Sequence, residues 1–194
     1  MRTPTIEKTA GTYYLQNVNE TASGFQLVAD GTFRFFFTYG ALDRYGSGKW
    51  TLENGNAILQ SRPWVGRDFE FVSSGTVNDD AVSVKIVESN PQLISHAFIS
   101  LRNGETGSWT QTNQQGVARF PGQAVASISL VFEFAPERFT RYLPDDPSQN
   151  SFAFKFEPWM MEVYFDKFPL KVERYALAGK HPLLRGERYV YEKG

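Results

Sequence analysis

"TFRFFFTY", residues 32–39, decides how the whole chain is read. Neighbouring side chains of an extended segment point to opposite sides. Phe33, Phe35, Phe37 and Tyr39 therefore share one face, and Arg34, Phe36 and Thr38 the other. Just before it, "ADGT" at 29–32 sets Asp30-Gly31 between two alternating runs, which predicts a two-residue hairpin. "ENGN" at 53–56 predicts another tight turn. The same alternation returns downstream. "SISLVFEF" groups Ile128, Leu130, Phe132 and Phe134, and "SFAFKFEP" groups Phe152, Phe154 and Phe156. Helical periodicity is missing almost everywhere. Strands are predicted at 11–17, 24–29, 32–39, 47–53, 57–62, 67–73, 82–88, 96–102, 117–120, 127–134, 138–143, 151–157, 162–166, 170–175 and 187–192.

Composition agrees. Aromatic residues make up 15% of the 194 positions, and 17 are Phe, a bias that suits half-buried pleated surfaces. Charge is balanced, 20 Lys+Arg against 21 Asp+Glu, so no long-range field attracts nucleic acid or an anionic membrane. No apolar run reaches the length of a membrane span. Cysteine is absent, which removes thiol nucleophiles, disulfides, iron–sulfur clusters and thiolate metal sites. No cofactor or metal motif is found. The start, "MRTPTIEKTAGTYY", lacks a leader's apolar stretch. A periplasmic or envelope location is expected if a leader has been removed and Met1 added, and a cytoplasmic one otherwise.

The polar tract "SSGTVNDDAV", at 73–82, is the expected boundary between two all-β units, 1–77 and 81–194. Tight turns before it suggest an up-and-down meander, and longer connections after it a Greek-key sandwich. Six strands close a barrel poorly. The first unit either leans half-open on the second or borrows strands from the C-terminal end.

Two resemblances follow. "GTYYL" at 11–15, "FQLVADGTFRFF" at 25–36 and "GSGKWTLENGNAILQS" at 46–61 resemble a small lipocalin-like domain. Gly31 would supply the positive φ of the hairpin, and Gly46 and Gly48 a bulge or bend before Trp50. "VSVKIVESNPQLISHAFISLRNGETGSWTQTNQQGVARF", residues 82–120, resembles a carboxypeptidase-regulatory-like, or transthyretin-like, sandwich domain, with Ala97, Ile99 and Leu101 inward and Gly116 at a left-handed turn position. These resemblances imply a binding or interaction module of the bacterial envelope, without shared catalytic residues.

The tract "YGALDRYGSGKW", 39–50, has two readings. Tyr39, Asp43, Arg44 and Tyr45 would clamp an anionic or planar ligand at a barrel mouth. Alternatively, Gly40 to Gly48 is a strand–turn–strand corner, with Asp43 in an Asx-turn and Arg44 covering an edge, and this is the favoured reading. Trp64 in "SRPWVGRDF", flanked by Arg62 and Arg67, suits either a ligand contact or a cap on the barrel's open end. His96 and His181 stand apart without an acid motif and read as ordinary histidines. The acids of "LPDDPSQN" lack calcium-loop spacing. "EPWMMEVYF", 157–165, reads as packing between the units or as a dimer face.

The fold expected is all-β, a lipocalin-like antiparallel meander or partial barrel plus a Greek-key, transthyretin-like sandwich. The expected function is non-catalytic binding of a small apolar or anionic ligand, or of a protein partner or second copy, and not of nucleic acid. Arg34, Tyr39, Asp43, Arg44, Tyr45, Trp64 and Arg67 are the expected contacts. The alternatives are a small-barrel enzyme of isomerase or hydrolase type, with Asp43 as base and Tyr39 or Arg44 stabilising an oxyanion, and a purely structural or oligomerising protein.

Overall fold

The computed structural model describes residues 4–40, 42–88, 90–102, 109–122 and 125–194. Met1, Ala41 within the glycine-framed tract, and the 103–108 part of the sandwich signature lie outside the described residues. The protein is all-β, 55% strand and 4% helix.

After one helical turn, α1 (Ile6–Thr9), come β1 (Gly11–Leu15), β2 (Thr21–Leu27), β3 (Thr32–Tyr39), β4 (Leu42–Glu53) and β5 (Asn56–Gln60). Next are β6 (Phe69–Gly75), β7 (Ala81–Ile86), β8 (Ala97–Arg102), β9 (Trp109–Gln111), β10 (Val117–Pro121), β11 (Ser127–Phe132), β12 (Ala135–Tyr142) and β13 (Ser151–Phe156). The chain ends with β14 (Phe168–Val172), β15 (Ala176–Gly179) and β16 (Tyr189–Lys193). β1 to β5 and β14 to β16 close an eight-stranded antiparallel barrel in the order β1-β16-β15-β14-β5-β4-β3-β2. β6 to β13 form two four-stranded sheets, β10-β7-β13-β6 and β12-β11-β8-β9.

The chain thus divides into a barrel unit, Met1–Trp64 with Met161–Gly194, and a second unit, Val65–Met160, lying between β5 and β14 in sequence. The polar tract expected to part the units instead joins β6 to β7 inside the second one. Local polarity marks a solvated loop, whereas closure decides the division: five strands need β14 to β16 to complete the ring. Borrowing from the C-terminal end is the arrangement observed. β15 and the short β9 form where no strand is predicted, and 162–166, predicted as a strand, makes only a parallel bridge between Glu162 and Tyr45.

Alternation fills the barrel. Phe25, Leu27, Phe33, Phe35, Trp50, Leu59, Phe165, Leu170, Leu177 and Tyr191 are buried in one cluster. Phe165 meets Phe25, Phe33 and Phe35 edge-on with centroids 5.9, 5.2 and 5.4 Å apart. In the second unit, Phe132 of β11 meets Phe156 of β13 at 5.0 Å, joining its two sheets through aromatic rings.

The glycine-framed tract bends less than expected. From Leu42 to Glu53, β4 is continuous and keeps an unbroken register with β3. Gly46 and Gly48 sit opposite Phe35 and Phe33. A Cβ on Gly46 would lie 2.7 Å from the Phe165 ring, and one on Gly48 2.1 Å from the Gln60 carbonyl oxygen and 2.8 Å from the Phe33 ring. These glycines make room for rings rather than turning the chain. The hairpin before β3 has a three-residue loop, Ala29 to Gly31, closed by a Val28 N–H bond to the Thr32 carbonyl of 2.8 Å. Gly31 has φ +82°, as its turn requires, and buried Trp50 donates its indole N–H to the Val28 carbonyl, 2.9 Å.

Candidate functional site

The seven expected contact residues do not converge. Arg34, Asp43 and Tyr45 stand exposed on the outer face of β3 and β4, and Tyr39 is exposed at the end of β3. Asp43 accepts a hydrogen bond from the Thr38 hydroxyl across the strand pair, 2.7 Å, in place of the expected Asx-turn. Asp43 is exposed and not enclosed in an apolar cavity.

Arg44 is buried, 3% exposed. β4 is longer than β5, so its first half has no β5 partner. The returning chain fills that gap. Val163 N–H donates to the Tyr45 carbonyl at 2.7 Å, and Ser61 N–H to the Phe165 carbonyl at 2.8 Å. The Arg44 guanidinium donates through Nε to the Met161 carbonyl, 3.0 Å, fixing this segment. The segment sends Val163 and Phe165 into the barrel core. "EPWMMEVYF" is accordingly interior on one side rather than an exposed patch: Met160 is buried in the second unit, and Val163 and Phe165 in the barrel.

Trp64 is half-buried at the end of the first barrel segment. Arg67 belongs to the second unit, where its Nε donates to Glu157 at 2.6 Å. It borders a groove of about 430 Å³ with Phe71, Arg141, Tyr142 and Phe154. There, Phe71 of edge strand β6 stacks on Tyr142 of edge strand β12, with centroids 4.7 Å apart and planes 9° from parallel.

His181 holds more chemistry than its sequence context suggests. It is 4% exposed, ringed by Phe35, Phe37, Tyr189 and Tyr191. Its Nδ1 accepts N–H bonds from Leu183 and Leu184 at 3.0 and 3.1 Å, so the proton sits on Nε2. That N–H donates to Ser23 Oγ, 3.0 Å away, and the Ser23 hydroxyl donates to the Phe36 carbonyl, 2.8 Å. Burial lowers the histidine's pKa to about 4. A serine–histidine pair of this polarity is not a nucleophile with its base, because the imidazole donates to the hydroxyl. It is a latch that pins the loop between β15 and β16 to β2 and β3. The partner of His181 lies 158 residues away, so no local motif could reveal it.

Among the described residues, two buried hydroxyls have no hydrogen-bond partner, those of Thr9 and Tyr191. Tyr191 is enclosed in the barrel core, and burial first, then the neighbouring Tyr189, raises its pKa. Thr9, 2% exposed, borders an open cleft of about 1040 Å³ at the rim where α1, the turn between β14 and β15, and the end of β16 meet. Tyr13, Lys171, Val172, Arg174, Tyr175 and Lys193 are among the side chains that line it. Tyr13 donates its hydroxyl to the Thr9 carbonyl, 2.6 Å, and Lys193 Nζ donates to the Lys8 and Ala10 carbonyls at 2.8 and 2.6 Å, which anchors α1 over the rim. Among the described residues no cluster of three or more His, Cys, Asp or Glu side chains suits a metal ion. No helix among them is long and apolar enough to cross a membrane.

Fold and site together define an eight-stranded antiparallel barrel, packed solid with aromatic rings, that carries a two-sheet unit within its sequence and a cleft at its rim. No family model, no curated protein and no solved structure matches the chain.

Proposed function

We propose that the chain is a non-catalytic binding module whose ligand occupies the rim cleft, with the filled barrel as its scaffold. The observation that carries this reading is a cleft large enough for a small molecule, lined by Thr9, whose buried hydroxyl has no partner among the described residues. Buried polar atoms are ordinarily satisfied, and one left over beside a concavity marks a place where a partner gains more than on open surface. The up-and-down order of β1 to β5 and β14 to β16 supports a lipocalin-like origin for the barrel. The left-handed Gly116, φ +75°, and the inward Ala97 and Ile99 support a transthyretin-like one for the second unit. Both fit the bacterial envelope role that the resemblances imply. Native mass spectrometry of the purified chain tests the reading. A small molecule should co-purify and be lost from Val172→Trp, which fills the cleft. A chain that carries nothing, or an adduct that survives this substitution, counts against it.

A second reading, a protein-interaction module, is favoured by the groove in the second unit. The stacked Phe71 and Tyr142 join two sheet edges there, and Phe71, Val72, Phe139 and Leu143 are 38, 46, 57 and 60% exposed. Sedimentation of Phe71→Glu against the parent chain checks it: loss of an assembly present in the parent supports this reading.

A further inference from the structure

Resting on that reading of the rim cleft, we propose that its ligand is a small organic anion, a carboxylate or phosphate head on an apolar body. Charge points to the head. Lys8, Lys171, Arg174 and Lys193 line the cleft against Glu7 and Glu173. Glu173 is already engaged by Arg188, at 3.0 Å. Lys193 serves backbone carbonyls. Lys8, Lys171 and Arg174 have no carboxylate within salt-bridge distance among the described residues, so three cations face a cleft with one acid, Glu7, left outside an ion pair. The overall charge of −1 makes this local excess the more selective, because no general positive field accounts for it. Thr9 lines the cleft, and its buried hydroxyl is a donor without a partner among the described residues.

The rest of the cleft points to the body. Val172, partly exposed, offers apolar surface. Tyr175 is 66% exposed under the Arg174 guanidinium, which lies 5.0 Å from its ring centroid. An aromatic ring held beside a cation and open to solvent suits an apolar group attached to an anion better than it suits bare phosphate. This places binding outside a barrel whose interior is already filled.

The test is an amide-resonance titration of the full chain with four probes: octanoate, octyl phosphate, octylammonium and octanol. Octanoate and octyl phosphate should shift Thr9, Lys171, Val172 and Tyr175 saturably, and the stronger of the two identifies the head. Octylammonium should leave them unmoved, and octanol should bind at least tenfold more weakly than octanoate. The exposed pair K171E/R174E should weaken octanoate about tenfold, two surface charges each turned from attraction to repulsion, with the thermal midpoint unchanged. Thr9→Val should weaken it several-fold. Equal affinity for octanol or octylammonium, or indifference of octanoate to K171E/R174E, overturns the anion assignment while leaving a binding cleft. If none of the four probes moves the cleft amides, the binding reading falls with it.

Discussion

Acid should loosen the barrel through one imidazole. In the fold His181 is neutral, with burial lowering its pKa to about 4 from the ordinary 6.5. In the unfolded chain it takes a proton near 6.5. Between those values the unfolded state binds more protons, so stability rises with pH across that window and is lost as pH falls through it. Integrating from 6.5 down to about 4 at 1.36 kcal/mol per pH unit gives a loss, relative to pH 7, of about 2 kcal/mol by pH 5 and about 3 kcal/mol by pH 4. The geometry says what breaks: a protonated Nδ1 can no longer accept the Leu183 and Leu184 N–H groups. The assay is urea unfolding of the parent chain and of His181→Gln at pH 7, 6, 5 and 4. Carboxylates titrate alike in both, so the difference between the two curves isolates the imidazole. The parent's advantage over the variant should shrink by about 3 kcal/mol between pH 7 and pH 4. A gap that stays constant to within about 0.5 kcal/mol would falsify the neutral latch, since an exposed histidine of ordinary pKa gives that result.

Gly48→Ala should destabilise the barrel by about 3 kcal/mol, because its Cβ would meet the Gln60 backbone and the Phe33 ring, neither free to move aside. Gly40→Asn, at φ +58° with nothing within 4 Å, should change the urea midpoint little; equal effects from the two would sink the ring-space argument. In the second unit, Arg138 pairs with Asp68 at 2.7 Å, side chains 9% and 4% exposed, and donates to the Met160 carbonyl at 2.8 Å. Arg138→Met should cost about 3 kcal/mol by stripping a buried carboxylate of its guanidinium, and adding Asp68→Asn should recover most of it. A double variant as unstable as the single one would show that the loss comes from packing instead.

The all-β class was legible because alternation is a local signal. Phe33, Phe35 and Phe37 are buried as "TFRFFFTY" requires, and so are Phe152, Phe154 and Phe156. Turns were legible where their residues are demanding: Asn54 and Gly55 take φ +49° and +80° between β4 and β5, as a two-residue hairpin of the primed kind needs. Closure was legible only as one of two alternatives, because the pairs that close the ring join the two ends of the chain. Tyr13 lies opposite Lys193, and Phe168 opposite Leu59 across the whole second unit. Nothing in the composition of either partner names the other. Gly46 and Gly48 show the same limit at short range. A glycine that bends backbone and a glycine that makes room for a neighbour are identical in sequence, and only the neighbours, Phe165 from the far end of the chain at Gly46 and Phe33 with the Gln60 backbone at Gly48, tell them apart.

The candidate site was harder to see for a related reason. Residue types that often bind ligands were found where they cluster along the chain, as in "YGALDRYGSGKW". A strand sends such neighbours to opposite faces, and here it buries Arg44 while exposing Asp43 and Tyr45. The rim cleft gathers its side chains from α1, β1, the end of β14 with the turn that follows it, and β16, segments far apart in sequence. Lys8-Thr9 near one end of the chain and Lys171, Arg174 and Lys193 near the other carry no motif. What distinguishes them is that Lys193 holds α1 by its last carbonyls, which sets Thr9 beside the cleft with its hydroxyl unspent. The same ammonium anchors α1 and counts among the cations lining the cleft, so replacing Lys193 should disturb the cleft's shape and its charge together.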